Sequence, residues 1–289
     1  MKRKWLTALS FALAVLLLGG AAGVLAVKGD WRYCIGQALA VHPRPRPERI
    51  EAEEDWQAWT LEALLQDPRA SVDHSLLLVS AASPLPEGWE PSLSELAGWP
   101  LQADAAQAYL LLQAYVLEET DTAIRITSSY RSPEEQLAEY EKRGEEIAAR
   151  PGESEHETGL SLDVCVTGFG SMSFLKTRAG RLVNDECERF GFIIRYPHGG
   201  EDTTGFSYEP WHLRYVGAPH AEFIMRHGLT LEDYLELLTL GDCYLIGDAL
   251  VVQFDASAEI RLPAEFASCR LSMTAEGRWA CTVTRGGVD

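Results

Sequence analysis

The chain has 289 residues, of which 46% are hydrophobic and 24% are charged, and its formal net charge at pH 7 is −18. A chain of this length and hydrophobic content can build one good-sized domain together with a smaller part. Proteins that bind a phosphate backbone need clustered Lys and Arg, so the large negative charge argues against nucleic acid as a partner.

The N-terminal residues predict a membrane segment. Lys2, Arg3 and Lys4 precede an uncharged apolar stretch from Trp5 to Val27. About 20 apolar residues can cross a bilayer, and a basic flank favours the cytoplasmic side. We therefore expect residues 1–28 to be a signal anchor that leaves the rest of the chain outside the cytoplasm. Cleavage as a signal peptide, followed by secretion, is the alternative, because Val24-Leu25-Ala26 is an acceptable cleavage context.

Composition divides the remainder into three predicted parts. Residues 29–70 are interpreted as a linker, Pro-rich at 42–47, with a short helical segment. Residues 71–239 carry the chemical motifs and form the predicted main domain. Residues 240–289 contain several short apolar runs, which favour a small β-rich appendage. Its Cys243, Cys269 and Cys281 could form one disulfide in an oxidising compartment.

Within the main domain, helical and extended patterns are mixed. The apolar run from Leu76 to Val79 is interpreted as a strand, the stretch from Ala103 to Glu119 as an amphipathic helix, and Ala123 to Ser128 as a strand. Ser132-Pro133-Glu134-Glu135 is a capping box with proline at the first helical position, so a helix is predicted from Pro133 to about Ala149. From Leu160 to Val166, apolar and polar residues alternate as in a strand. The predicted fold class is α+β, with a central antiparallel sheet and flanking helices.

A set of four residues predicts a catalytic zinc site. Catalytic zinc typically has three protein ligands and one open position, with a nearby carboxylate that handles protons. His156, Asp163 and His212 are the expected ligands of one zinc ion per chain, and Glu209 is the expected base. Each residue alone could be an ordinary histidine or carboxylate, but the whole set favours a metal site.

Two local features explain how these residues could meet. Gly159 lets the chain turn between His156 and the following strand. Residues 209 and 212 would point to opposite faces of a regular strand, but a bend at Glu209-Pro210 can bring both to one site.

The motifs S-x-H-x-x-G-x-x-x-D and E-P-W-H-x-R-Y-V-G resemble those of zinc D-alanyl-D-alanine carboxypeptidases of the VanY type. The likeness runs from about Leu76 to Leu238 and includes Ser128-Ser129-Tyr130-Arg131-Ser132. The resemblance implies an α+β domain, related to the lysostaphin-like and hedgehog-like folds, that removes the terminal D-alanine from peptidoglycan stem peptides or their precursors. The chain departs from the family pattern at Ser80-Ala81, Leu182 and Glu186.

The resemblance also implies roles for three further residues. Negative charge builds on the carbonyl oxygen when water attacks a peptide bond, and Arg131 has the family position of the guanidinium that meets this charge. A surface salt bridge to neighbouring glutamates is the alternative for Arg131. Ser154 and Gln136 are expected to contact the substrate, mainly because of their family positions. Arg195 and Arg214 could pair with acidic residues or line the substrate groove.

Two classes of function remain open at this point. An active peptidase needs a proton shuttle beside the zinc, whereas a hedgehog-like zinc-binding module without turnover does not, so Glu209 favours the enzyme. Within the enzyme class, an L,D-carboxypeptidase or an endopeptidase acting on peptidoglycan is the alternative to D-alanyl-D-alanine cleavage.

Overall fold

The computed structural model describes residues 31–40, 45–144 and 147–284. The predicted membrane segment, residues 1–28, lies outside the described residues. Within the described ranges, no helix is both long enough and apolar enough to span a membrane. The described chain is a mixed α+β protein, as expected.

The helices are α1 (Trp31–Leu39), α2 (Leu61–Gln66), α3 (Ala103–Thr120), α4 (Pro133–Arg143), α5 (Arg178–Glu186), α6 (Glu201–Thr204), α7 (His220–His227) and α8 (Leu231–Leu237). The first five strands along the chain are β1 (Glu48–Ile50), β2 (Gln57–Trp59), β3 (Ala70–Val72), β4 (Ser94–Leu96) and β5 (Trp99–Leu101). The strands that follow are β6 (Ile124–Ser128), β7 (Ser161–Val166), β8 (Phe192–Ile194), β9 (His212–Tyr215), β10 (Cys243–Ile246), β11 (Ala249–Asp255), β12 (Ile260–Leu262), β13 (Ser268–Ala275) and β14 (Arg278–Thr284).

The sheet that carries the predicted site has four antiparallel strands in the order β6-β7-β9-β8. Its inner face packs on α3 and α5 through a cluster that includes Leu112, Leu162, Val183 and Leu213, all of which are fully buried. The alternation that predicted β7 is observed, because Leu162 and Val164 face this core while Asp163 remains partly exposed.

The predicted helix after Ser132 begins as expected but ends earlier. The Ser132 side chain and the Glu135 side chain form the capping box. The helix stops at Arg143, not near Ala149, because Gly144 follows with a φ of +81°. Glycine adopts this left-handed backbone region at little cost, so it commonly ends helices.

The interpretation of Leu76 to Val79 as a strand was wrong. These residues are mostly buried but form no strand, because their backbone groups are paired individually. The Leu78 amide donates to the carbonyl of Thr274 at 3.0 Å, and the Leu76 amide donates to Ser272 Oγ at 2.8 Å. The backbone N–H and C=O groups of an apolar run can therefore find hydrogen-bond partners without a neighbouring strand.

Four of the five C-terminal strands belong to a six-stranded sheet with the order β1-β10-β11-β14-β13-β3, whereas β12 pairs with β2. Its strand β1 comes from the segment predicted as a linker, whereas β3 crosses the predicted end of that segment at residue 70 and pairs in parallel with β13. The sequence interpretation did not include β13, although buried Cys269 and Leu271 alternate there with exposed Ser268 and Arg270.

The possible disulfide among the C-terminal cysteines is not formed in this structure. Cys269 and Cys281 are not bonded to each other, although their Sγ atoms lie 2.9 Å apart.

Candidate metal centre and active site

The first predicted ligand, His156, lies in a one-turn 3-10 helix, Glu155–Thr158, that leads into β7. Ser154 Oγ accepts a hydrogen bond from the His156 amide at 3.3 Å, and Gly159 ends the turn with a φ of +70°. This φ favours glycine, and a Cβ atom at Gly159 would also lie 2.6 Å from Leu93 Cδ2, so the Leu93 side chain would have to move. His156 Nδ1 lies 2.7 Å from the Ser129 carbonyl, which identifies Nδ1 as the protonated nitrogen and leaves Nε2 as a possible ligand atom.

Asp163 and His212 are brought together by the register of the sheet. They are directly opposed partners on β7 and β9, and His212 Nδ1 lies 3.0 Å from Asp163 Oδ1. His156 Nε2 lies 3.6 Å from Asp163 Oδ2. The donor atoms of the three residues all lie within 4.8 Å of one another, so all three predicted ligands are at one place.

The charge state of this set suits a metal ion. Burial alone would raise the pKa of Asp163, but His156 and His212 outweigh it and hold the pKa far below its ordinary value. Burial lowers the pKa of His212 and so favours the neutral imidazole. His212 Nε2 is buried without a hydrogen-bond partner among the described residues.

One carboxylate with two imidazoles is a donor set that binds zinc, so the residues fit that ion. In the described part of the chain, this is the one such group of three or more His, Cys, Asp or Glu residues.

Glu209 lies at the expected bend before His212. Its amide donates to the Tyr196 carbonyl at 3.0 Å, and its carbonyl accepts from the His212 amide at 3.0 Å, with Pro210 between them. The carboxylate oxygen Oε2 is 3.9 Å from His212 Nδ1. Burial, assisted by the nearby charge of Asp163, raises the pKa of Glu209 to about 8. A carboxyl group with such a pKa can accept and return a proton near neutral pH.

Arg131 lies beside the same 3-10 turn and is held by three hydrogen bonds. Its amide donates to the His156 carbonyl at 3.2 Å, Nη1 donates to Gln136 Oε1 at 2.6 Å, and Nε donates to Ser128 Oγ at 3.3 Å. Within the described residues it makes no salt bridge to the neighbouring glutamates of α4, of which Glu139 pairs with Lys142 and Arg143. A guanidinium fixed in this way can donate to a developing oxyanion.

Comparisons with known proteins agree with this geometry. A family model described as VanY, D-alanyl-D-alanine carboxypeptidase, matches residues 99–218. The bifunctional D-Ala-D-Ala dipeptidase and D-Ala-D-Ala carboxypeptidase VanXYC of Enterococcus gallinarum is 35% identical over 184 residues, which cover 57% of this chain and 95% of that protein. The chain belongs to the VanY family.

Other similar proteins are covered to different extents. The putative carboxypeptidase YodJ of Bacillus subtilis is 48% identical over 99 residues, which cover 33% of this chain. The chain spans 36% of the length of YodJ. A crystal structure of a vancomycin-resistance D,D-pentapeptidase VanY mutant in complex with Zn(II) is 32% identical, with a TM-score of 0.50, and the match covers 56% of this chain and 99% of that one.

Ser154 and Gln136, the two predicted substrate contacts, are almost fully buried in this VanY-family chain. Ser154 caps the turn that carries His156, and Gln136 joins Arg131 to the Ala149 carbonyl through a bond of 2.7 Å. These contacts lie within the protein, so both residues shape the site. Direct contact with a substrate stays a prediction for each.

A buried charge network lies behind the turn, and the sequence interpretation named acidic partners for its arginines as one alternative but did not identify those partners. Glu155 pairs with Arg195 through Oε1 at 2.8 Å and with Arg214 through Oε2, and Arg195 also pairs with Glu232 at 2.7 Å. Arg195 and Arg214 are therefore paired with acidic residues in the interior, and neither lines a groove. A signal was present, because each arginine lies inside a strongly apolar run, where a charged residue needs a buried partner.

Proposed function

We propose that this protein is a zinc-dependent D-alanyl-D-alanine carboxypeptidase that removes the terminal D-alanine from peptidoglycan stem peptides. The observation that carries the proposal is the Glu209 carboxyl group, which lies 3.9 Å from His212 beside a complete set of three ligands. A zinc-binding module without turnover has no use for a proton-accepting carboxyl group at this position.

His156, Asp163 and His212 would hold one zinc ion, as expected from the sequence. When bound, the ion would polarise the attacking water and the scissile carbonyl. Glu209 accepts a proton from the water and later returns it to the departing amine of D-alanine. Arg131 donates hydrogen bonds to the oxygen that becomes negative during the attack.

The similar proteins support this choice of reaction and metal. VanXYC is described as acting on D-Ala-D-Ala, and the VanY structure was solved with Zn(II). Stem peptides lie outside the cytoplasm, so the proposal also places the catalytic domain there. Residues 1–28 would serve as the membrane anchor, with secretion after cleavage as the alternative. The mass of the mature chain distinguishes these two outcomes.

The test uses the full chain in mild detergent, loaded with zinc, and a muramyl pentapeptide that ends in D-Ala-D-Ala. Mass spectrometry should show the loss of one alanine by the wild type and a loss of rate of at least about 10²-fold in Glu209→Ala, since Glu209 is the only proposed proton shuttle. Glu201→Ala is the matched control, because Glu201 is an exposed acidic residue of the same segment between β8 and β9. A tetrapeptide substrate is incubated in parallel.

Each alternative has its own result in this assay. Release of alanine from the tetrapeptide but not from the pentapeptide would assign L,D-carboxypeptidase activity. Cleavage of an internal bond would assign an endopeptidase. Stoichiometric zinc with no product from either peptide would support the binding module.

A further inference from the structure

Asn184 on α5 contacts the chain on both sides of Glu209. Its Nδ2 donates to the Pro210 carbonyl at 2.8 Å, and its Oδ1 accepts from the Tyr208 hydroxyl at 2.8 Å. The side chain is almost fully buried. One amide therefore links the residue before Glu209 to the residue after it.

The orientation of this amide is determined by its partners. Nδ2 also donates to the Gly180 carbonyl at 3.0 Å, so the two acceptors on that side are both backbone carbonyls. Only an NH2 group satisfies two carbonyls, and only the oxygen can accept from Tyr208. Because these groups are buried, an apolar side chain at this position would leave the Pro210 carbonyl and the Tyr208 hydroxyl without partners.

The helix that carries Asn184 is held firmly. The Thr177 side chain caps its first turn by accepting from the Gly180 amide at 2.8 Å. A Cβ atom at Gly180 would lie 2.1 Å from the Phe174 carbonyl oxygen, so the helix lies too close to the Phe174 backbone for any larger residue at this position. Val183 is fully buried in the core under the four-stranded sheet. Asn184 thus projects from a rigid support towards the bend.

The other contacts of the bend come from the opposite side. Tyr196, on the chain that leaves β8, accepts from the Glu209 amide, and Glu209 itself accepts from the His212 amide. Pro210 has no amide hydrogen, and in the described chain its carbonyl is paired only with Asn184. The backbone at Glu209 is therefore held from both sides, by Tyr196 in the segment that follows β8 and by Asn184 on α5.

We propose that Asn184 is a positioning residue that sets the Glu209 carboxyl group relative to His156, Asp163 and His212. The catalytic half of this inference rests on the proposed function. Displacement of a catalytic group by about 1 Å can reduce a rate on the order of 10²-fold. The hydrogen bonds of Asn184 go to Gly180, Pro210 and Tyr208 and to none of the three proposed ligands, so its effect should be confined to steps that use Glu209.

The experiment compares Asn184→Leu and the milder Tyr208→Phe with wild type, as full chains loaded with zinc. We expect kcat for the D-Ala-D-Ala pentapeptide to fall about 10- to 100-fold in Asn184→Leu and by less in Tyr208→Phe. KM and the Kd for zinc should change by less than about threefold, because the three ligands are not disturbed. In a Glu209→Ala background, Asn184→Leu should cause no further loss, since both changes remove the same contribution.

Gln113 provides a matched control on α3. Its amide also donates to a tyrosine hydroxyl, that of Tyr109, and to a backbone carbonyl, but far along the chain from the bend. Gln113→Met should leave kcat unchanged. A loss in Asn184→Leu that persists in full in the Glu209→Ala background, or an accompanying loss of zinc, would show a general structural role and refute the proposal.

Hydrogen exchange provides a measurement that does not depend on activity. The amides of Glu209 and His212 should exchange faster in Asn184→Leu than in wild type, whereas Gln113→Met should leave them unchanged. If wild type releases no alanine, the proposed function fails and exchange alone decides the positioning role. Equal exchange in Asn184→Leu and wild type would then refute it, as would unchanged kcat in an active enzyme.

Discussion

Replacement of Glu155 by Gln should be among the most destabilising single changes in this chain. Glu155, Arg195 and Arg214 are each no more than 1% exposed. Burial alone would raise the pKa of Glu155, but Arg214 and Arg195 outweigh it and lower the pKa to about 2. The carboxylate is therefore ionised at neutral pH, and its charge balances buried cations.

The magnitude follows from what remains after the change. Arg195 keeps its ion pair with Glu232, whereas Arg214 keeps only hydrogen bonds to carbonyls, including those of Ser75 and Leu77. Removal of one partner of a buried ion pair costs about 3–5 kcal/mol, because the other charge stays buried without compensation. At about 1.4 kcal/mol per factor of ten, this lowers the folding equilibrium constant by roughly 10²- to 4 × 10³-fold.

Urea denaturation of zinc-loaded protein measures this loss. Glu222→Gln is the control, because Glu222 pairs with Arg226 on the exposed face of α7 and such pairs contribute about 0–1 kcal/mol. The double variant Glu155→Gln, Arg214→Met removes both charges, so it should be more stable than Glu155→Gln alone. A Glu155→Gln protein within about 1 kcal/mol of wild type, or a double variant that is less stable still, would refute the reasoning.

Three further outcomes are expected. Burial lowers the pKa of His220 to about 3, so between pH 6.5 and 3 the unfolded chain gains a proton at this residue while the folded chain does not. As pH falls through this range, the free energy of unfolding of wild type, measured by urea denaturation, should therefore fall by up to about 5 kcal/mol relative to that of His220→Gln. The control His198→Gln changes an exposed histidine, and its free energy of unfolding should fall as much as that of wild type. Arg131→Lys keeps the charge but loses the fixed guanidinium geometry, so kcat should fall about 10²-fold. Metal analysis should show an unchanged zinc content. Gly159→Ala should weaken zinc binding in a titration, whereas Gly168→Ala, which has a similar φ of +83° but open space around it, should cost stability only.

The ligand set could be predicted because its signals are local. His156 and Asp163 flank a glycine turn and an alternating strand, and Glu209 precedes His212 by three residues across a proline. Each signal depends on residue types within about ten positions, where backbone geometry limits the possibilities. The sequence could not supply the register that opposes Asp163 and His212, which is a property of the assembled sheet.

The interior network could not be predicted in the same way, because its partners are distant in sequence. Arg214 donates to the Ser75 carbonyl across 139 positions, and Arg195 donates to Glu232 across 37. The run from Leu76 to Val79 resembles a strand by composition alone, since nothing local reveals that arginines satisfy its carbonyls. Asn184 carries no motif either, and its role emerges only from the two contacts around Glu209.

These contacts make the C-terminal sheet part of the site's support, and truncation tests this. The segment 75–79 receives hydrogen bonds from the buried arginines on one side and is bonded to β13 through Thr274 and Ser272 on the other. Deletion of residues 240–289 removes β13 and exposes a core that Tyr244, Ile246 and Val251 share with the helices α7 and α8.

We therefore expect the truncated chain to lose cooperative unfolding and zinc binding together, since segment 75–79 would no longer be held against Arg214 and Arg195. Circular dichroism during urea denaturation and a zinc titration measure the two properties. A truncated chain that unfolds in a single sharp transition and binds zinc as tightly as wild type would mean that residues 240–289 are a separable appendage, and that the arginine network is complete without them.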